Sequence, residues 1–171
     1  KRDNPVSYGR QPAIDALDQA FEMLHAYQAD PLAAVDKIIA DHPDFAMAHA
    51  FRAGALATAT DKAFEPELIK SVEAAEALAP KANDRERMHI AAARAWLDGD
   101  WERAVELWGR ASMACPRDLL ALQLAHVGDV DLHTARSAGG CRIPHQALRR
   151  IVGNPPVAAV DVQGDDGGLR S

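Results

Sequence analysis

Three prolines recur along the chain at an almost constant interval, and this interval limits the fold more than any other feature of the sequence. Pro43, Pro80 and Pro116 lie 37 and 36 residues apart. Each follows a stretch in which apolar residues recur every three or four positions, the spacing of a helix with one buried face. Because proline has no backbone N–H, it ends such helices. The interval predicts a repeating unit of two helices, and neighbouring units must stack to bury their apolar faces.

Capping residues set the remaining helix boundaries. Asp44 and Asp100 are candidate N-caps, and Asn83 and Glu86 have the spacing of a capping box. Gly99 fits the left-handed residue that ends a helix. Together with the apolar periodicity, these residues predict helices over residues 11–28, 31–42, 45–60, 67–79, 85–97, 101–114 and 118–126.

The third pair, from Met88 to Pro116, carries the most specific pattern. Gly99 lies in its turn, and Ala104, Trp108 and Ala111 follow at spacings of four and three. Small, large and small residues in this order suit a close helix crossing with one bulky side chain between repeats. We therefore predict an all-α fold, a tetratricopeptide-like right-handed solenoid of antiparallel helix pairs with about three pairs and a partial fourth.

The repeat pattern divides the chain into three parts. Residues 1–10 are expected to be a flexible lead-in, and residues 11–128 the tetratricopeptide-like domain. From about Asp129 helical periodicity fades, and six of the 11 glycines fall in this part together with Pro144, Pro155 and Pro156. Residues 129–171 are therefore expected to be an irregular tail, disordered or frameshifted, with a short helix around residues 145–152.

Three sequence blocks resemble the tetratricopeptide repeat protein 38 family. They are HPDFAMAHAFRAGAL, DRERMHIAAARAWLDGDWERAVELW and PRDLLALQLAH, and the resemblance covers about Ala13 to Gly128. Members of that family have longer chains with further helix pairs, so the resemblance implies a fragment of a longer protein, truncated or frameshifted after Gly128. It also implies a helical-repeat protein without an assigned reaction that acts through binding.

Charge and composition exclude several functional classes. The net charge of −6 repels phosphate backbones, so no nucleic-acid partner is expected. No apolar run approaches 18 residues, and the amino terminus lacks the apolar core of a signal peptide, so we expect a cytoplasmic protein without a membrane contact. Cys115 and Cys141 are expected to be free thiols, with a disulfide between them as the alternative.

The sequence contains no catalytic, cofactor or metal motif. GxSxG, HExxH and phosphate-binding glycine loops are all absent. His49, His89 and His126 occur once each in successive first helices, and stacking could bring them into one polar site. The alternative is that each histidine forms a local hydrogen bond in a helix seam. No catalytic residue, cofactor or metal is therefore predicted.

The first helices of such a stack line its inner groove, which predicts a partner-binding surface. Phe51, Glu86, His89 and Trp96 are the candidate groove residues. The groove positions as a whole are mostly Ala, Phe and His, which favours an apolar or helical segment. We predict a binding or scaffold module for a protein or peptide. The alternative is part of an enzyme of unknown reaction with a histidine-containing groove, and a third reading is a fragment without activity of its own.

The carboxyl-terminal end of the stack is a candidate surface for self-association. A stack that ends after a partial pair leaves an apolar face without a neighbouring repeat. Leu119, Leu122 and Leu124 are expected to be exposed on that face.

Overall fold

The computed structural model describes residues 4–26, 30–59 and 61–137, which belong to one compact unit. All regular elements in these residues are helical, so the predicted all-α class is confirmed. The α-helices are α1 (Gln11–His25), α2 (Pro31–Asp41), α3 (Ala46–Thr58), α4 (Glu65–Leu78), α5 (Asp84–Leu97), α6 (Trp101–Ala114) and α7 (Leu119–Ser137). Two short 3₁₀ turns, Lys62–Phe64 and Ala79–Lys81, flank α4. None of the described helices is long and apolar enough to cross a bilayer.

Several helix ends form as the capping residues predict. Asp100 accepts a backbone N–H in the first turn of α6 at 3.1 Å. Asp30, which was not among the predicted caps, does the same in α2 at 3.0 Å. Asn83 and Glu86 form both hydrogen bonds of a capping box at the start of α5, each at 3.0 Å. Gly99 has a φ of 80°, the left-handed conformation that glycine adopts without a steric penalty.

Two predicted helix starts are wrong. Phe45 is the N-cap of α3, without a side-chain cap, so Asp44 does not have the predicted role. Asp61 caps the 3₁₀ turn, and this turn leads directly into α4 at Glu65, before the predicted start at Glu67. Local hydrogen bonding by Asp61 therefore orders a connection that the sequence pattern suggested was a loop.

Consecutive helices pack as pairs, and α3 lies at the centre. α1 packs with α2, α3 with α4, and α5 with α6, while α3 also packs against α2, α5 and α7. Eleven of the 13 residues of α3 are buried, as expected of a helix with neighbours on all sides. Its many alanines allow these neighbours to approach closely. Most of these alanines belong to the main hydrophobic core.

The third pair packs as the small–large–small pattern predicts. Ala104, Trp108 and Ala111 are all fully buried. The Trp96 ring of α5 lies 5.9 Å from the Trp108 ring, centroid to centroid. One large side chain therefore fills the space between α5, α6 and the rest of the core, and the two alanines let the backbones approach it.

Helix α7 continues past its predicted end near His126, so residues 129–137 are helical where an irregular tail was expected. Residues 138–171 lie outside the described part of the chain, together with the helix expected around residues 145–152.

Glycines on α3 and α7 allow close helix contacts. A Cβ added at Gly54 would lie 2.5 Å from a Leu124 methyl, and one added at Gly128 would lie 3.1 Å from the Trp96 ring. These distances are shorter than ordinary van der Waals contact, so only glycine fits without movement of the neighbour. Helix α7 therefore packs closely against α3 and, with Val105 beside Gly128, against α6.

The expectation of an exposed leucine face is only partly met. Leu124 is 1% exposed and Leu119 is half-buried, whereas Leu122 is 55% exposed. Leu124 was therefore wrongly predicted, because α7 turns this side chain toward α3. Self-association through the end of the stack stays a prediction.

Candidate functional site

A buried carboxylate joins α5 to the start of α7. Asp118 is 1% exposed. Its Oδ1 accepts the backbone N–H of Ala121 at 3.1 Å, in the first turn of α7. Its Oδ2 accepts hydrogen bonds from Arg85 Nε at 2.6 Å and His89 Nε2 at 2.9 Å. One side chain thus caps a helix and holds two basic groups of another helix.

The surroundings of Asp118 lower its pKa. Burial alone would raise the pKa of the carboxyl group, because it removes water from the charged form. The hydrogen bonds and charges of His89 and Arg85 outweigh that effect and hold the pKa well below its usual range. Asp118 is therefore an anion at neutral pH, and it is suited to organising the fold rather than to proton transfer.

Arg85 extends the cluster to the segment that precedes α1. Its Nη1 donates to the Pro5 carbonyl oxygen at 3.1 Å, and Asn83 Nδ2 donates to the same oxygen at 3.0 Å. Asn4 Nδ2 donates to the carbonyl oxygen of Arg117 at 2.9 Å. The predicted flexible lead-in is thus fastened, from residue 4 onward, to α5 and to the loop before α7.

Glu86 fastens the same segment at a second point. Its carboxylate is fully buried. Oε1 accepts the backbone N–H of Ser7 at 3.1 Å, and Oε2 accepts both the Ser7 hydroxyl and the Asn83 N–H. Since these contacts use the carboxylate oxygens of Glu86 within the protein, the residue holds the segment in place and does not present a charge to a partner.

A small cavity opens beside this cluster, between α1, α3 and the start of α7. Its volume is about 70 Å³. Arg85, Asp118, Asp18 and Asn4 provide its polar groups. The rest of the wall is apolar and is formed by Val6, Ile14, Leu17, Phe21, Met47, Phe51, Leu119 and Leu120. The cavity lined by these described residues is therefore of mixed polarity, with one guanidinium and two carboxylates beside the apolar side chains.

The predicted groove residues lie inside the fold. Phe51 is 1% exposed, Glu86 and His89 are both 0% exposed, and Trp96 is half-buried. They do not form the open surface that the sequence suggested, because α7 packs against α3 and the segment before α1 is bonded to α5. Of the four, only Phe51 lines the cavity. Their role in partner binding stays a prediction.

The three histidines of the predicted polar site have separate environments. His49 is buried, and its Nε2 lies 2.9 Å from the Pro43 carbonyl oxygen, whereas His126 is exposed. His89 donates from Nε2 to Asp118, and its buried Nδ1 has no hydrogen-bond partner among the described residues. Local hydrogen bonding, the alternative that the sequence left open, describes His49 better than a shared site.

Metal and thiol chemistry find little support in the described residues. Within them, no group of three or more His, Cys, Asp or Glu side chains could hold a metal ion. Cys115 is a half-buried free thiol there. Its proposed disulfide partner, Cys141, lies outside the described part of the chain.

Sequence reasoning missed Arg85, Asp118 and Ile14 as members of one site. Asp118 was recognised only as the residue that starts α7, and Arg85 only as part of a first helical turn. Their contact joins residues 33 positions apart. Arg85 and Asp118 are oppositely charged and lie at the amino-terminal ends of α5 and α7, which could have indicated their contact. Several other charged residues lie at helix starts, so this signal does not single out the pair.

Neither a family model nor a solved structure defines this site. No family model matches the chain, and no solved structure matches it. Its function must therefore be argued from the helical arrangement, the charge cluster and the cavity.

Proposed function

We propose that the chain is a tetratricopeptide-like solenoid that acts as a binding module for a segment of another protein. The solenoid arrangement is supported by the 36–37-residue period, by the three consecutive helix pairs and by the packing of Trp108 between alanines. Membership of the tetratricopeptide repeat protein 38 family is part of this proposal and rests on the three sequence blocks given above.

The observation that carries the binding function is the cavity beside Arg85. The cavity is lined by residues of α1, α3 and α5, the first helices of the three pairs, and in a tetratricopeptide-like stack these helices would form the partner-binding side. Its volume of about 70 Å³ is well below the roughly 300–1,000 Å³ of cofactor and drug-sized sites. A cavity of this size suits one anchoring side chain of a protein segment better than a whole small-molecule substrate.

The charge cluster supports binding over catalysis. Asp118 is engaged with Arg85 and His89, and Arg85 and Glu86 are engaged with the segment before α1. General acid–base work needs a group whose pKa lies near the operating pH, and the lowered pKa of Asp118 is far from it. The cluster instead fixes the walls of the cavity, which pre-organises a binding site.

A displayed library of random peptides tests this proposal on the full chain. Selected peptides are synthesised with a fluorescent label, and their binding is measured by anisotropy. We expect saturable binding that Ile14→Arg abolishes, since Ile14 lines the cavity and is half-buried. The matched variant Leu122→Arg, on the exposed side of α7, should bind normally.

Two results would overturn the proposal. One is that no selected peptide binds saturably to the full chain. The other is binding that Leu122→Arg abolishes and Ile14→Arg leaves unchanged, because it would move the site to the outer side of α7. Circular dichroism of both variants establishes that they are folded before binding is compared.

A further inference from the structure

We infer that residues 4–8 occupy a peptide-binding surface of their own chain, and that a partner segment with a hydroxyl residue followed by tyrosine binds there in their place. The surface is formed by the start of α5, the loop before α7 and the connection between α2 and α3. This inference rests on the proposed binding function and specifies its partner and its regulation.

Polar side chains at the start of α5 hold the main chain of residues 4–8 at two points. The carbonyl oxygen of Pro5 accepts hydrogen bonds from Asn83 Nδ2 at 3.0 Å and from Arg85 Nη1 at 3.1 Å. The backbone N–H of Ser7 donates to Glu86 Oε1 at 3.1 Å. Any segment that places a carbonyl group and an N–H two residues apart can form these bonds, and main-chain bonds of this kind supply affinity in peptide recognition.

Two side chains of residues 4–8 supply the sequence-specific contacts. The Ser7 hydroxyl donates to Oε2 of the buried Glu86. The Tyr8 ring stacks on the buried Phe45 ring, with 4.4 Å between the centroids, and the Tyr8 hydroxyl donates to Asp44 at 3.2 Å. A partner segment that forms the same contacts therefore needs serine or threonine directly followed by tyrosine.

Glu86 makes the surface depend on an occupant that donates hydrogen bonds. Ser7 supplies two of the three hydrogen bonds that described residues donate to this carboxylate, and the Asn83 N–H supplies the third. A buried carboxylate that loses its donors is costly, so a displaced Ser7 has to be replaced by another donor. An acidic or phosphorylated residue at this position would be repelled by Glu86, so the surface selects an uncharged hydroxyl residue.

The link between residues 4–8 and α1 does not pack on the fold. Gly9 and Arg10 are both exposed, and a Cβ added at Gly9 would meet no atom within 4 Å. Residues 4–8 can therefore leave the surface by rotation at Gly9, without movement of α1. A ligand tethered by so short a link has an effective concentration on the order of 1 mM, so it lowers the apparent affinity of a free partner that competes with it.

Departure of residues 4–8 also opens the cavity of the proposed function. Asn4 and Val6 form part of the lining of that cavity. A partner that displaces residues 4–8 therefore gains access to the cavity as well, and the chain's own segment acts as an inhibitor of partner binding.

Fluorescence anisotropy with a labelled peptide tests the inference on the full chain. The probe has the sequence of residues 4–10. Ser7→Asp in the chain places a carboxylate against Glu86 and should release the chain's own segment. We therefore expect the probe to bind this variant at least about tenfold more tightly than the natural chain. Gly9→Asp adds the same charge at an exposed position and should leave probe binding unchanged.

A second chain variant and two altered probes separate the contacts. Tyr8→Ala in the chain removes the stacking on Phe45 without a change of charge, so it should tighten probe binding several-fold. On the Ser7→Asp chain, probes that themselves carry Ser7→Asp or Tyr8→Ala should bind about fivefold more weakly than the natural probe. Circular dichroism establishes that each chain variant is folded, and Tyr8→Ala alone decides the outcome if Ser7→Asp is not.

The inference is overturned if the folded Ser7→Asp and Tyr8→Ala chains bind the probe no more tightly than the natural chain, or if the Ser7→Asp probe binds as tightly as the natural probe. Sedimentation velocity adds a further criterion. A natural chain that dimerises, with dimers that Ser7→Asp abolishes, would also overturn the inference, because the occupant would then be residues 4–8 of a second copy.

Failure of this inference is distinguishable from failure of the proposed function. Library peptides that bind the natural and Ser7→Asp chains equally, in an Ile14-dependent manner, would leave the binding function standing and remove the role of residues 4–8. Absence of binding by both the library peptides and the probe would remove both.

Discussion

His89 Nε2 lies 2.9 Å from Asp118 Oδ2, in a side-chain pair that is almost completely buried and that joins residues 29 positions apart. Because Nε2 must donate to the carboxylate, its proton faces Asp118 and the other ring nitrogen points elsewhere. The pair therefore locks the start of α7 onto α5. With Arg85 on the same oxygen, it fixes the first turn of α7 relative to α5.

Asp118→Asn should strongly destabilise the protein. The variant keeps the size of the side chain but leaves the Arg85 guanidinium buried without its counter-charge, so we expect the free energy of unfolding to fall by about 3 kcal/mol. Urea denaturation followed by circular dichroism measures the change. Asp129→Asn, an exposed position on α7, is the control and should change stability by less than about 0.5 kcal/mol. Equal effects of the two substitutions would show that the buried pair does not hold α7.

The lowered pKa of Asp118 predicts a pH dependence with a definite sign. In the unfolded chain an aspartate has a pKa of about 3.9, and in the folded protein the pKa of Asp118 is lower. Its contribution is therefore complete above about pH 5 and is lost as the pH falls through and below about 4. The stability difference between the natural protein and Asp118→Asn should stay constant from about pH 7 to 5 and shrink toward pH 3. A difference that grows on acidification would contradict this assignment.

Leu124→Ala should show how firmly α7 is held against α3. Leu124 is 1% exposed and contacts Gly54, so its truncation leaves a cavity and should cost about 2–4 kcal/mol. Leu122→Ala makes the same chemical change two residues away on the exposed side of α7, and should cost less than about 0.5 kcal/mol. Thermal or urea unfolding compares the pair. Similar losses for both leucines would mean that α7 does not pack as described.

The sequence predicted helices better than it predicted which helix faces are covered. Proline spacing, the capping box at Asn83 and the glycine at position 99 are local features, and the helix ends that depend on them formed as expected. The path of α7 depends on Gly54, Gly128 and Asp118, whose partners lie many residues away. Periodicity locates an apolar stripe but does not say which helix will lie on it. The groove residues were therefore placed on an open surface, whereas Phe51, Glu86 and His89 are buried.

Arg52→Ala should destabilise the first two helix pairs because this side chain connects three helices. From α3, Arg52 Nε donates to Asp36 of α2 at 2.6 Å, Nη1 to Ser71 of α4 at 2.7 Å, and Nη2 to Glu67 of α4 at 3.0 Å. The arginine side chain is only 16% exposed, whereas Asp36 and Glu67 are 51% and 43% exposed, so the guanidinium is better shielded from water than its carboxylate partners. We expect a loss of about 1–2 kcal/mol in urea unfolding.

Arg110→Ala is the matched control: it removes an exposed pair with Glu106 within one helix and should cost less than about 0.5 kcal/mol. Since partly buried ion pairs are screened less than exposed ones, about 0.5 M NaCl should leave most of the Arg52 effect in place. If the two arginines contribute equally, or if salt abolishes the Arg52 effect, the three-helix connection does not stabilise the fold.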